Sequence, residues 1–197
     1  MIDIDLLLEK GAVYKNIRKG DFIFEEGLRC SYYYQLVEGR VSWLNFDDDG
    51  KVCIQSVVEP GECFGELPLF DDGPYAASAV ADQDSVILQL PKHVFHELLD
   101  ERPYIHRSFS KLLAQRVRFK FFVIKEIACH TPEQIIVTLL NYFKSKHGLF
   151  ASDRVRVNYT RQQIAGMTGL RVETVIRAIR NLKEKGNLKI EHGKVYY

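Results

Sequence analysis

The chain has 197 residues, 46% of them apolar, which is enough for one large packed domain or two small ones. Its formal charge of +1 hides a divide: residues 1–100 carry 8 Lys/Arg against 19 Asp/Glu, a net of −11, and residues 101–197 carry 19 against 7, a net of +12. That division excludes an evenly charged surface and leaves only the second half suited to a polyanion.

The opening stretch MIDIDLLLEKG lacks the basic start and long apolar core of a signal peptide, and no run of 18 apolar residues occurs anywhere. Cys30, Cys53, Cys63 and Cys129 are widely spaced and form no C-x-x-C pair, so they read as reduced thiols. These features predict a soluble, cytoplasmic protein without membrane contact. From about residue 20 to 90 the pattern is β-like. GDFIFEEG, YYYQLVEGRVSWLNF, KVCIQSVVEPGECFGE and SVILQLP fit short strands, with turns at Gly39, Gly50 and Gly61. Many short strands at this spacing predict a sandwich or barrel.

At PKHVFHELL the period becomes helical, and residues 103–130 predict one long helix. Ile105, Phe109, Leu112, Leu113, Val117, Phe121, Ile124 and Ile127 form a broad apolar stripe along it. The stripe is wider than one intramolecular face needs. Arg107, Lys111, Arg116, Arg118, Lys120 and Lys125 also crowd this helix as solvated charges, some of them suited to face the acidic half. The helix ends near His130-Thr131-Pro132. Thr131 suits the cap of the next helix, Pro132 its first turn, and Gln134 completes a capping box, so the boundary reads as a hinge.

The last 47 residues read as compact and basic, with 10 Lys/Arg and 4 Asp/Glu. Within TRQQIAGMTGLRVETVIRAIR, Thr160 and Gln163 have the spacing of a helix start, and Ile164 and Met167 face inward. Gly169 supplies a corner, and Val175, Ile176, Ile179 and Leu182 are expected to anchor the second helix. Glu173 and Arg177 lie one turn apart on another face, where an acceptor and a forked donor suit base edges in the DNA major groove, Arg to guanine and Glu to cytosine. The competing reading is an exposed i,i+4 salt pair. NLKIEHGKVYY completes the region as a short hairpin turning at His192-Gly193, a wing beside the helices.

The segment TRQQIAGMTGLRVETVIRAIRNL resembles the winged helix-turn-helix of the cyclic-AMP receptor/fumarate-nitrate-reduction regulator superfamily, and GELPLFDDGPYAAS resembles that family's β-roll cassette. The resemblance implies an α+β fold: an N-terminal β-roll sensor of cyclic-nucleotide-binding, jelly-roll type over 1–100, a dimerisation helix over 101–130, and a winged helix-turn-helix over 131–197. It implies a homodimer that binds double-stranded DNA at an inverted repeat, joined along Leu112, Leu113, Val117, Phe121 and Ile124. RNA polymerase is a further implied partner. By the same resemblance Glu173 and Arg177 read bases, Val172 contacts a thymine methyl, and Thr160, Gln162 and Thr174 bind phosphates. Arg171 departs from the family's Ser/Thr cap; the missing cap costs about 1 kcal/mol, offset by a phosphate contact.

Cyclic-nucleotide-binding members meet the ribose with a Glu and the cyclic phosphate with an Arg-Ser pair. Here Gly65 and Glu66 match, but the loop continues Pro74-Tyr75-Ala76-Ala77-Ser78, and no Arg lies between Arg40 and Arg102, where the sole Lys residues are Lys51 and Lys92. A buried phosphate without a partner charge is strongly disfavoured. The family's adenine-contacting pair on the long helix is replaced by Phe119 and Lys120. Gly65, Glu66, Phe119 and Lys120 therefore mark the candidate effector pocket, with a purely turn-stabilising Glu66 as the alternative. No cofactor is identified and the effector is unknown, cyclic AMP being the one disfavoured. The alternatives within the family are a haem- or redox-responsive regulator. Clustered cysteines for an iron–sulfur centre are lacking, and His93 and His96 read as residues of a surface helix. A cupin-like metal-dependent enzyme needs a His-rich first shell on the strands, and residues 20–90 contain no histidine.

Overall fold

A computed structural model of the chain describes residues 1–146 and 155–197. Residues 151–154, which open the basic stretch expected above, lie outside the described residues. The chain forms two compact units, Met1–Ala114 and Gln115–Tyr197. Among the described residues no helix is long and apolar enough to cross a membrane.

The first unit contains eight strands: β1 (Val13–Ile17), β2 (Phe22–Phe24), β3 (Tyr32–Glu38), β4 (Val41–Phe46), β5 (Val52–Val58), β6 (Cys63–Phe64), β7 (Ser78–Ala81) and β8 (Ser85–Pro91). They form two four-stranded sheets, β1-β8-β3-β6 and β2-β7-β4-β5, with antiparallel pairing throughout. Turns fall at Gly39, Gly50 and Gly61 as expected, each with positive φ. Helices α1 (Ile4–Glu9), α2 (Leu67–Asp71) and α3 (Lys92–Glu101) complete the unit, together with the start of α4 (Pro103–Cys129).

Strands β3 and β8 read as nearly continuous apolar runs because both their faces are covered. Tyr33 on β3 and Leu88 and Leu90 on β8 point into a core shared with Leu7, Phe95, Leu98, Ile105 and Phe109 of the helices. Their neighbours Tyr34, Leu36 and Ile87 point the other way, into a core between the sheets with Phe24, Trp43, Phe64 and Tyr75. Successive strand side chains alternate faces, so adjacent residues feed different cores. Gln35 is buried on the helical side and satisfied there: its side chain accepts from the Tyr33 hydroxyl at 2.6 Å and donates to the Ile2 carbonyl at 3.0 Å.

The second unit holds the rest of α4, then α5 (Pro132–Lys146), α6 (Arg161–Thr168), α7 (Val172–Glu184), β9 (Lys189–Glu191) and β10 (Lys194–Tyr196). The Thr131 capping box opens α5 as expected: the Thr131 backbone N–H donates to Gln134 Oε1 at 3.0 Å, and the Gln134 N–H reaches Thr131 Oγ1 at 3.5 Å. The α4 stripe does not behave as one face. Ile105 and Phe109 are spent in the first unit's own core and Leu112 packs against it. By contrast Val117, Phe121 and Ile124 are 55%, 71% and 65% exposed, and Ile127 is exposed as well.

Candidate nucleic-acid interface

Helix α6 begins where T-x-x-Q predicts. Thr160 is its N-cap in extended conformation; its hydroxyl accepts from the Gln163 N–H at 3.1 Å, and the Gln163 side chain accepts from the Thr160 N–H at 3.0 Å. Ile164 and Met167 are buried beneath, and Gln162 is exposed. The corner that follows needs Gly169, which ends α6 at φ 70° in the left-handed region. Two residues later Arg171 stands at the N-cap of α7, extended, with no capping bond from its side chain. One of the first helix amides thus lacks the side-chain acceptor that Ser or Thr would supply.

Helix α7 is strongly two-sided. Val175, Ala178, Ile179 and Leu182 are buried, whereas Arg171, Glu173, Arg177 and Arg180 are exposed and Val172 and Thr174 half-buried. Ile176, expected among the anchors, is 44% exposed and does not anchor the helix. It lies one residue from Val175, about 100° round the helix, and the small Ala178 takes its inward place. Exposure of Glu173 and Arg177 leaves both side chains free of core duties, and the N-terminal end of α7 adds positive backbone potential beside them.

Across the buried edge of α7, Asn181 Nδ2 donates to Oε1 of Glu133, in the first turn of α5, at 2.9 Å. The Asn181 bond, then Glu133's own backbone amide, hold this carboxyl below the usual glutamate value, with Lys185 and Arg177 adding smaller pulls. No sequence spacing signals a contact between residues 48 positions apart. The wing follows as expected. Glu191 pairs with Lys194 across a two-residue turn in which His192 (φ 48°) and Gly193 (φ 77°) both adopt left-handed backbone, the geometry that matches strand twist in a tight hairpin. Its strands and tip expose Lys189, His192 and Lys194. Val155 and Tyr197 exchange two backbone bonds of 3.0 Å, which ties the wing to the segment before α6.

In the first unit, Gly65 follows β6 at φ 66°, with Phe24 so close that an added Cβ would lie 2.5 Å from its ring. Glu66 is buried at the start of α2. Tyr75 is buried and its ring stacks on Phe24, centroids 3.8 Å apart and planes at 11°; Phe24 also meets Phe64 and Tyr34 at 6.0 and 5.6 Å. Burial pushes the Tyr34 phenol up to about 12, and Cys30 and Tyr32 add to the shift. Burial raises Tyr75 further, reinforced by Cys30 and then Tyr34. Both are therefore neutral phenols at physiological pH. The remaining pair expected at the effector pocket lies in the second unit. The Phe119 ring stacks on Tyr142 at 4.4 Å, and Lys120 is exposed.

Two family models match the chain: a cyclic nucleotide-binding domain over residues 14–102 and a Crp-like helix-turn-helix domain over residues 133–196. The cAMP-activated global transcriptional regulator CRP of Pasteurella multocida is 29% identical over 174 residues, covering 87% of this chain and 83% of that protein. The CRP of Haemophilus influenzae is 29% identical over 193 residues, covering 97% and 85%. The solved structure of FixK2 from Bradyrhizobium japonicum superposes with a TM-score of 0.78 at 22% identity, covering 93% of this chain and 91% of that one, which is a likeness of fold alone.

Proposed function

Because the chain belongs to the Crp/Fnr superfamily of DNA-binding transcription regulators, we propose that it reads an inverted-repeat DNA site as a cytoplasmic homodimer, under a β-roll that does not use cyclic AMP. It is a regulator and not an enzyme. In this reading residues 1–100 sense, 101–130 dimerise and 131–197 bind DNA. Arg177 forks onto guanine, Glu173 accepts from the paired cytosine, and Val172 packs on a thymine methyl. Thr160, Gln162, Arg171 and Thr174 hold phosphates and set the register. RNA polymerase is a further partner in this reading, by family resemblance.

The observation that carries the reading is the two-sidedness of α7: one face is consumed by Val175, Ala178, Ile179 and Leu182, and the other presents Glu173 and Arg177 one turn apart. Two such helices must lie about 34 Å apart to reach successive major grooves. A parallel seam along Leu112, Leu113, Val117, Phe121 and Ile124 supplies the two-fold axis, and the exposure of the last three favours it. The curated relatives are named as cAMP-activated, but here Tyr75, Ala76 and Ala77 fill the stretch where the resemblance calls for an arginine on the cyclic phosphate.

Selection of binding sites from random DNA tests the proposal. Enriched sequences should be inverted repeats whose half-sites contain a G·C pair, within a TGA-like core. Arg177→Ala should relax preference at that pair by roughly 1–3 kcal/mol. Enrichment of sequences without a dyad would sink both the base-reading and the homodimer roles.

A further inference from the structure

A helix that reads bases must be fixed in rotation about its own axis, since one residue of slip turns its face by about 100°. Buried apolar side chains hold α7 against its neighbours, but apolar contact is non-directional. One directional contact between side chains reaches it from α5. Asn181, half-buried on α7, donates to Glu133 Oε1 at 2.9 Å, and Glu133 is half-buried in the first turn of α5, two residues beyond Thr131. Arg177 and Asn181 of α7 and Lys185, which caps its end, are spaced by four and form one stripe. The Asn181–Glu133 bond sets the start of α5 against this stripe, and the flanking cations both pull on the Glu133 carboxyl. Asparagine is a poor residue for a helix interior, where leucine or alanine would serve better. A carboxylate in a first helical turn is already favoured by the helix end without any partner on another helix. The pair therefore does something that neither helix needs for itself.

We infer that Glu133 is a positioning residue for the DNA-reading helix: by accepting from Asn181 it holds α7 in the rotation that aims Glu173 and Arg177 outward. The inference rests on the base-reading role proposed above for those two residues. The hydrogen bond carries the effect, so an uncharged acceptor of the same shape should substitute for the carboxylate.

The test measures binding of the full-length protein to its selected site and to the same site with the Arg177-read G·C pair inverted, at several salt concentrations. Glu133→Ala and Asn181→Ala should each reduce preference for the correct pair about five- to tenfold, and the double variant should be no worse than either alone. Glu133→Gln, which keeps the acceptor, should retain full preference. Helical circular dichroism and the salt slope should stay at parent values, because no phosphate contact is touched; a variant that fails the dichroism control is replaced by Asn181→Leu. Full preference in Glu133→Ala overturns the inference. So does a Glu133→Gln protein as poor as Glu133→Ala, which would assign the effect to charge. Arg177→Ala separates the two levels. If it too leaves preference intact, the base-reading role falls and the positioning role with it; if it abolishes preference while Glu133→Ala does not, the positioning role alone falls.

Discussion

Phe121→Ser should weaken the homodimer and leave the folded protomer unchanged. The ring is 71% exposed in the single chain, so most of its transfer free energy is still available to a partner. Complete burial of a phenylalanine is worth about 1.5–3 kcal/mol, and the exposed share therefore contributes roughly 1–2 kcal/mol per side chain. A two-fold seam buries the residue twice, which brings the loss to about 2–4 kcal/mol, or roughly 30- to 900-fold in the dissociation constant. Sedimentation velocity over a dilution series should show the dimer–monomer midpoint moving to higher concentration by that factor. Thermal unfolding at concentrations where both proteins are monomeric should be unchanged, since little of the ring is packed within its own chain. An unaltered midpoint of dimerisation would place the interface elsewhere. A large drop in monomer stability would show that the ring is buried against its own protomer.

Three further outcomes follow from the same geometry. Arg171→Ser restores a side-chain cap to α7 and should raise stability by about 1 kcal/mol, while lowering DNA affinity uniformly across sequences and reducing the steepness of its salt dependence by about one; thermal unfolding and binding at graded salt check both. The Tyr34 phenol is pushed from 10.0 to about 12 in the folded state, so its contribution to stability is complete below pH 10 and declines as the pH rises through 12. Tyr34→Phe should flatten that alkaline loss, whereas denaturant titrations of equal slope against pH would refute the assignment. Calorimetric titration with cyclic AMP should show no binding at roughly tens of micromolar, since a missing charge-assisted phosphate contact costs several kcal/mol, at least a hundredfold. A micromolar constant abolished by Glu66→Ala would refute that reading.

Features set by local chemistry were legible in the sequence. The capping boxes at Thr131 and Thr160, the corner at Gly169 and the His192-Gly193 turn all depend on residues within four positions of one another, and each forms as the spacing indicates. Features set by tertiary context were not. Strand β1 escaped notice because four of its five residues are exposed, which leaves no alternation to detect, and β7 reads Ser-Ala-Val-Ala, too small to carry a β signal. Helix α1 is only six residues long and starts on an Asp3 cap. Ile176 looked like an anchor because hydrophobicity alone cannot show which side of a helix is covered. The Glu133–Asn181 bond joins two helices 48 positions apart, and neither residue is unusual in its own neighbourhood. Phe119 could be matched by position, but not its stacking on Tyr142, which depends on how α5 folds back.

Adjacent tyrosines on β3 face opposite ways, Tyr33 towards the helices and Tyr34 between the sheets, and this makes the strand a frame as well as a wall. Point substitutions in β3 can be absorbed by one core at a time. Deleting or inserting a single residue exchanges the contents of both cores at once, because every side chain changes sides. Gln35 would then leave the Tyr33 hydroxyl and the Ile2 carbonyl that satisfy it, and a buried amide would meet the aromatic interior. Homologous sequences should therefore vary in letter along 32–38 but keep its length, with gaps confined to the turns on either side.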